Sequence, residues 1–203
     1  MTASVACAVL AAGASRRLGF PKQLALHRGI PLARWATLCA TRSTASETAL
    51  VVGAHAQEVT ESVAGLPVTV LHNAEWQEGI AASIRAAVAW AELRDHAALL
   101  IALCDQPRLT APHLSHLIRL FQQGGITVAS RYAGKNAVPA IFARADFEHL
   151  LALRGDSGAG RLLNGGALVV DVAWPEGAFD VDTPEEVATL LDPSNPQTSD
   201  LLR

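Results

Sequence analysis

Short apolar runs alternate along the chain with segments in which apolar residues recur at spacings of three and four, the pattern of strands interleaved with amphipathic helices. Val5 to Leu10 has the length and residue types of a buried strand. Pro31 opens a helix carrying Leu32, Trp35, Ala36 and Leu38, and Glu47 to Val52 reads as a second strand that Gly53 ends. A helix over Gln57 to Val63 leads to a third strand, Val68 to Leu71, and Ile80, Ile84, Ala87, Val88 and Ala91 then lay one apolar stripe along a helix. Ala97 to Leu103 is almost wholly aliphatic, as expected of a central strand covered on both faces. Thr110 is a cap for a helix reaching Gln123, Gly124 and Gly125 stop it, and Ile126 to Tyr132 make another strand. Pro139 makes the run Val138 to Phe142 an expected edge or irregular strand. A helix from Ala145 to Leu153, a Gly-rich loop from Arg154 to Arg161, a strand from Leu168 to Val172, a short strand from Phe179 to Asp182 and a capping box at Thr183 to Glu186 complete the order. The pattern predicts an α/β fold: a doubly wound, mostly parallel sheet with helices on both faces. A single domain over residues 1–192 is expected, with a mobile polar tail over 193–203.

Composition narrows the function classes. Of 203 residues half are apolar, enough for a substantial core, and the net charge of −3 without a long basic run argues against nucleic-acid or membrane-surface partners. Cys7, Cys39 and Cys104 are odd in number and lie in apolar surroundings, which suits buried thiols in a reducing compartment. The apolar runs are too short to span a bilayer and no basic n-region precedes one, so the expected location is cytoplasmic.

Chemistry concentrates just after the first strand. Leu10 to Lys22 combines Gly13 and Gly19, which let the backbone approach a ligand, with the positive charges of Arg16, Arg17 and Lys22. An anion is the natural guest. The loop lacks the Gly-x-Gly-x-x-Gly of dinucleotide folds and the Gly-x-x-x-x-Gly-Lys-Ser/Thr of P-loop enzymes. Asp105 follows the most apolar strand, in Cys104-Asp105-Gln106-Pro107, where a hard oxygen ligand would suit Mg2+. Asp182, Asp180 and Asp156 are each available as a second carboxylate. His113 and His116 are three apart on one helix, without a third ligand, and read as a solvated face.

The order Leu10, Ala11, Ala12, Gly13, Ser15, Arg17, Gly19, Pro21, Lys22 resembles the N-terminal signature of the MobA-like nucleotidyltransferase family. The resemblance continues in family order through Asn73 to Ser83, Asp105 to Pro107, Gly155 to Arg161 and Asp182 to Glu186. It implies a Rossmann-like nucleotidyltransferase fold and a Mg-dependent enzyme in which the acceptor phosphate attacks the α-phosphorus of a nucleoside triphosphate. Arg17, Lys22 and Asp105 are then the catalytic residues, and Asp105 and Asp182 hold the metal. Leu10, Ala11, Ala12, Gly13, Ser15, Arg17, Lys22, Asn73, Gly79 and Ser83 bind the nucleotide. One departure stands in the 155–161 loop, where Gly160 occupies the place of the family's arginine and Arg161 comes one position late.

Leu-Ala-Ala-Gly rather than Leu-Ala-Gly-Gly resembles the branch that makes the cytosine dinucleotide of the molybdenum cofactor. That branch implies CTP and molybdopterin as substrates, with a molybdoenzyme or its maturation chaperone as a further partner. Other readings stay open: GTP or another NTP with molybdopterin or a sugar or alcohol phosphate, an NAD(P)H-dependent oxidoreductase on a small heterocycle, and a non-catalytic carrier of the cofactor.

Overall fold

The computed structural model describes residues 3–16, 18–166 and 168–181. The first strand, β1 (Val5–Ala11), is buried along its whole length. Val5, Cys7, Val9 and Ala11 face one apolar core, while Ala6, Ala8 and Leu10 face another. Alternation within a strand buried on both faces is what the continuous apolar run encodes, since successive side chains point to opposite sides of a sheet.

A small hairpin, β2 (Leu26–His27) and β3 (Ile30–Pro31), precedes helix α1 (Leu32–Thr41), strand β4 (Glu47–Val52), helix α2 (Ala56–Ser62) and strand β5 (Thr69–His72). Helix α3 (Ile80–Leu93) and strand β6 (Ala98–Leu103) follow, then helix α4 (Ala111–Gly124) and strands β7 (Val128–Tyr132) and β8 (Lys135–Ala143). Short helices α5 (Phe147–Leu151) and α6 (Gly160–Leu163) lead to strand β9 (Val170–Ala173). The main sheet has seven strands in the order β5-β4-β1-β6-β8-β7-β9. Parallel pairs join β5, β4, β1 and β6, and β9 runs parallel to β7, while β8 is antiparallel to both neighbours. Helices α1 and α4 cover one face through Ala33, Ala36, Leu114, Leu117, Ile118 and Phe121. Helices α3 and α5 cover the other through Ile84, Ala87, Val88, Phe147 and Leu150. The doubly wound, mostly parallel sheet is therefore present.

Three local expectations need correction, and a fourth, the strand with Pro139, is irregular as expected but not at an edge. The strand containing Pro139 is interior, between β6 and β7. Its irregularity makes this tolerable: pairing with β6 ends at Ala140, and the β7 register steps from Ala129↔Ala140 to Ser130↔Ala137. Val138 and Pro139 thus face a bulge in which no ladder N–H is required. The Pro139 carbonyl instead accepts from Ser130 Oγ at 2.7 Å. Phe179 to Val181 form no strand, because a 3-10 turn over Pro175–Ala178 feeds an extended segment that pairs with none. Pro31 is the residue before α1 and closes the hairpin.

His113 is not on a solvated face. It stacks on Trp174 at 4.7 Å, its Nε2 lies 2.8 Å from Ser130 Oγ, and burial pushes its imidazole down to about 4. The Thr110 cap is present, its Oγ1 accepting from His113 N at 3.3 Å. All three cysteines are buried and unbridged, and burial pushes each thiol up to about 12. Among the described residues no helix is long and apolar enough to cross a membrane. Residues 182–203, which include the expected capping box and tail, lie outside the described residues.

Candidate active site

The loop after β1 is shaped by a residue that carries no charge. Gln23, 1% exposed in a 3-10 turn over Lys22–Leu24, sends its Nε2 to the carbonyls of Ala11 and Gly13 at 3.0 and 2.6 Å. Ala54 N donates to the carbonyl of Ala12 at 3.0 Å. Ser15, at φ 52°, accepts from Lys22 N at 3.0 Å and donates to Gln23 Oε1 at 3.3 Å. With these carbonyls engaged on the protein side, the N–H groups of residues 13–16 find no acceptor among the described residues. Successive unpaired N–H groups in such a turn form a concavity suited to an anion.

That loop walls a cleft of about 490 Å3. Leu10, Ala11, Ala12, Gly13, Ser15 and Arg16 line one side, with Lys22 and Asp105 beside them and Trp76, Gly79, Ile80, Ser83 and Asp156 across the first turn of α3. Lys22 Nζ and Asp105 Oδ2 form an ion pair, their side chains 19% and 13% exposed. The other oxygen of Asp105, Oδ1, is buried with no hydrogen-bond partner. An unpartnered buried carboxylate oxygen beside an anion-binding loop fits a hard divalent cation. The carbonyl of Asp105 accepts from Val181 N at 3.1 Å, so the last described residue is tied to Asp105. Asp182 and Arg17 lie outside the described residues, and Asp180 is exposed.

The α3 wall is braced from behind. Asn73 does not line the cleft; it is 7% exposed, donates through Nδ2 to Ser83 Oγ at 3.1 Å and accepts from Glu75 N at 3.0 Å. Its reach to a ligand is through Ser83. Gly79 precedes α3 at φ 125°, and a Cβ there would lie 2.5 Å from Asp156 Oδ1 and from the Gly155 carbonyl. Only glycine suits that conformation and that contact. Arg85 Nη1 donates to Glu78 Oε1 at 2.9 Å and to the Leu153 carbonyl at 3.0 Å, while Nη2 reaches Glu75 Oε2 at 3.2 Å. Glu78 also accepts from Gly155 N at 3.1 Å, and the Arg85 guanidinium beside it pulls its carboxyl down to about 2. A second pocket of about 630 Å3 adjoins the cleft, sharing Leu10, Ile80 and Leu103 and walled by Ile84, Ile101 and Val138.

Residues 7–172 match the model of the MobA-like NTP transferase domain. The chain belongs to this family. It is 31% identical over 196 residues to nicotine blue oxidoreductase of Paenarthrobacter nicotinovorans, covering 90% of this chain and 94% of that one. Among solved structures it is similar to Rv0371c of Mycobacterium tuberculosis H37Rv, with 30% identity, a TM-score of 0.77 and coverage of 93% of this chain and 98% of that chain. A manganese complex of Rv0371c superposes with a TM-score of 0.74 at 27% identity, covering 93% and 98%. The nucleotidyltransferase fold and family support a transferase.

Nine of the sequence-predicted residues meet at one cleft: Leu10, Ala11, Ala12, Gly13, Ser15, Lys22, Gly79, Ser83 and Asp105. Sequence reasoning missed Gln23, Glu78 and Arg85. Glu78 and Arg85 carry a faint signal, opposite charges seven apart at a helix start; Gln23 carries none.

Proposed function

We propose that this protein transfers the CMP moiety of CTP to the terminal phosphate of molybdopterin and releases pyrophosphate. The observation that carries the reading is the cleft itself, in which an N–H-lined loop faces the Lys22–Asp105 pair. Two anions must meet for nucleotidyl transfer, and such a site holds negative charge without reorganising. An acceptor phosphate oxygen forms a bond to the α-phosphorus. The bond to the bridging oxygen breaks, and pyrophosphate departs with that electron pair. In this reading the loop N–H groups and Arg17 hold the departing phosphates, and Lys22 offsets charge at the α-phosphate. Asp105, with Asp182 as second carboxylate, would hold Mg2+, which when bound neutralises phosphate charge.

Cytosine is favoured by a tight floor. Ala12 lines the cleft where a glycine would leave more room, and a Cβ on Gly53 would lie 2.9 Å from Ala12 Cβ, so Ala12 is held against the fold and cannot recede from a larger base. A steric difference of this size discriminates by about 1–3 kcal/mol. The acceptor is assigned to the adjoining apolar pocket, which suits a flat ring system whose phosphate turns into the cleft.

Pyrophosphate release measured with each of four NTPs, molybdopterin and Mg2+ tests the reading; CTP is expected to lead, and preference for GTP rejects the assignment. The named activity of the nicotine blue oxidoreductase relative favours a second reading, NAD(P)H-dependent reduction of a small heterocycle. A nicotinamide absorbance change that persists in EDTA would support it over transfer.

A further inference from the structure

Asp156 is a carboxylate of the cleft that the Lys22–Asp105 pair does not engage. It lines the cleft, is exposed, and among the described residues takes no hydrogen bond and no ion pair. A negative charge at the wall of an anion site repels phosphate, so its guest is a cation or a neutral donor. Its position separates it from the β6 end where Lys22 meets Asp105: Asp156 Oδ1 stands over Gly79, at the first turn of α3. Ser83 lines the same turn, and because its Oγ already accepts from Asn73, its own proton is left to donate. A pure acceptor on the loop over that turn and a donor on the turn itself, both lining one cleft, match vicinal hydroxyls, which both donate and accept.

Asp156 is also held in place. The 153–156 segment is strapped to α3 and to the 3-10 turn before it, Trp76–Glu78, at three points: the Leu153 carbonyl on Arg85 Nη1, Gly155 N on Glu78 Oε1, and the Gly155 carbonyl on Ala81 N at 3.1 Å. Arg85 and Glu78 join two of these through their own ion pair.

We propose that Asp156 accepts hydrogen bonds from the ribose hydroxyls of the bound nucleotide, with Glu78 and Arg85 as its positioning residues. The assignment rests on the cleft being a nucleoside triphosphate site. Calorimetric affinities for CTP, 2′-deoxy-CTP and 3′-deoxy-CTP, without acceptor, test it. Wild type should bind CTP about tenfold or more tightly than at least one deoxy analogue, the loss of a hydrogen bond to a charged acceptor. Asp156→Ala should bring the three affinities together. Arg85→Ala should narrow the ratio too, whereas a merely structural lesion would weaken all three nucleotides equally. Tight CTP binding with an unchanged ratio in Asp156→Ala overturns the assignment alone. Binding of no triphosphate by wild type removes the nucleotide reading and the assignment with it. Titration with Mn2+ alone gives the remaining arm: unchanged affinity in Asp156→Ala supports a hydroxyl ligand, and weakened affinity makes Asp156 a metal ligand instead.

Discussion

Gln23 determines whether the loop after β1 can bind anything. Its amide holds two carbonyls, and replacing it by leucine would remove the donor from the buried Ala11 oxygen and turn the exposed Gly13 oxygen loose to solvent. Each unpaired buried acceptor costs about 1–3 kcal/mol. Gln23→Leu is therefore expected to lower the melting temperature by several degrees and raise the KM for the nucleotide about tenfold, read by thermal scanning and pyrophosphate release. Asp105→Asn acts differently. It preserves shape and removes charge, so folding should persist while kcat falls by on the order of 10² or more, the scale of losing one preorganised electrostatic group. Lys22 and Asp105 could be singled out in the sequence because positive charge gathers in the glycine loop, and because Asp105 ends the most apolar strand in an Asp-x-Pro that resembles the family's, although a strand-end Asp is more often a turn former or cap. Gln23 could not, because a glutamine next to a lysine reads as a solvated pair until the turn carries it to 1% exposure. Asn73 was read as a ligand contact, but burial puts Ser83 between it and the cleft.

At the scale of elements, the parallel half of the sheet follows from unbroken apolar runs, and β1, β4 and β6 fall within a residue of their expected bounds. The antiparallel insertion of β8 does not follow, since no local pattern says which neighbour a strand will choose. A proline marks a weak ladder position, and a bulge can supply one in the interior as well as at an edge. The join between Gly79 and the 155–156 loop is a similar non-local fact. Gly79→Ala forces a Cβ into 2.5 Å contacts at φ 125°, a strain on the order of 1–3 kcal/mol. The expected outcome is a displaced Asp156 loop, seen as faster amide hydrogen exchange over residues 153–157 and weaker CTP binding.

Helix α4 meets the sheet through His113, neutral in its buried stack at about 4. The unfolded imidazole titrates near 6.5 and takes up a proton that the folded one refuses. Stability from this group is thus complete above about pH 6.5 and is lost as pH falls from there towards 4. His27, also near 4 through burial, works in the same direction. Urea midpoints measured from pH 7 to pH 5 should fall less steeply for His113→Gln than for wild type, the difference isolating His113.

For the whole molecule, the cleft gathers segments that are remote in the chain: the loop after β1, the carboxyl end of β6, the first turn of α3 and the 155–156 loop. Val181 N on the Asp105 carbonyl brings the end of the described chain to the same place. A ligand touching all of them binds only the folded arrangement, so binding must appear as global stability. At a hundred times its Kd a ligand adds about 2.7 kcal/mol. A chain of this length gains about 2–4 °C per kcal/mol, which gives an expected rise of roughly 5–10 °C with CTP and Mg2+. The two functional readings diverge on this measurement. Under nucleotidyl transfer, EDTA should shrink the CTP-induced rise because it removes the cation that Asp105 would hold, and NADPH should give no rise. Under the oxidoreductase reading NADPH should stabilise the protein with or without EDTA, and CTP should not. Differential scanning calorimetry with these four conditions separates the readings before any acceptor has been prepared.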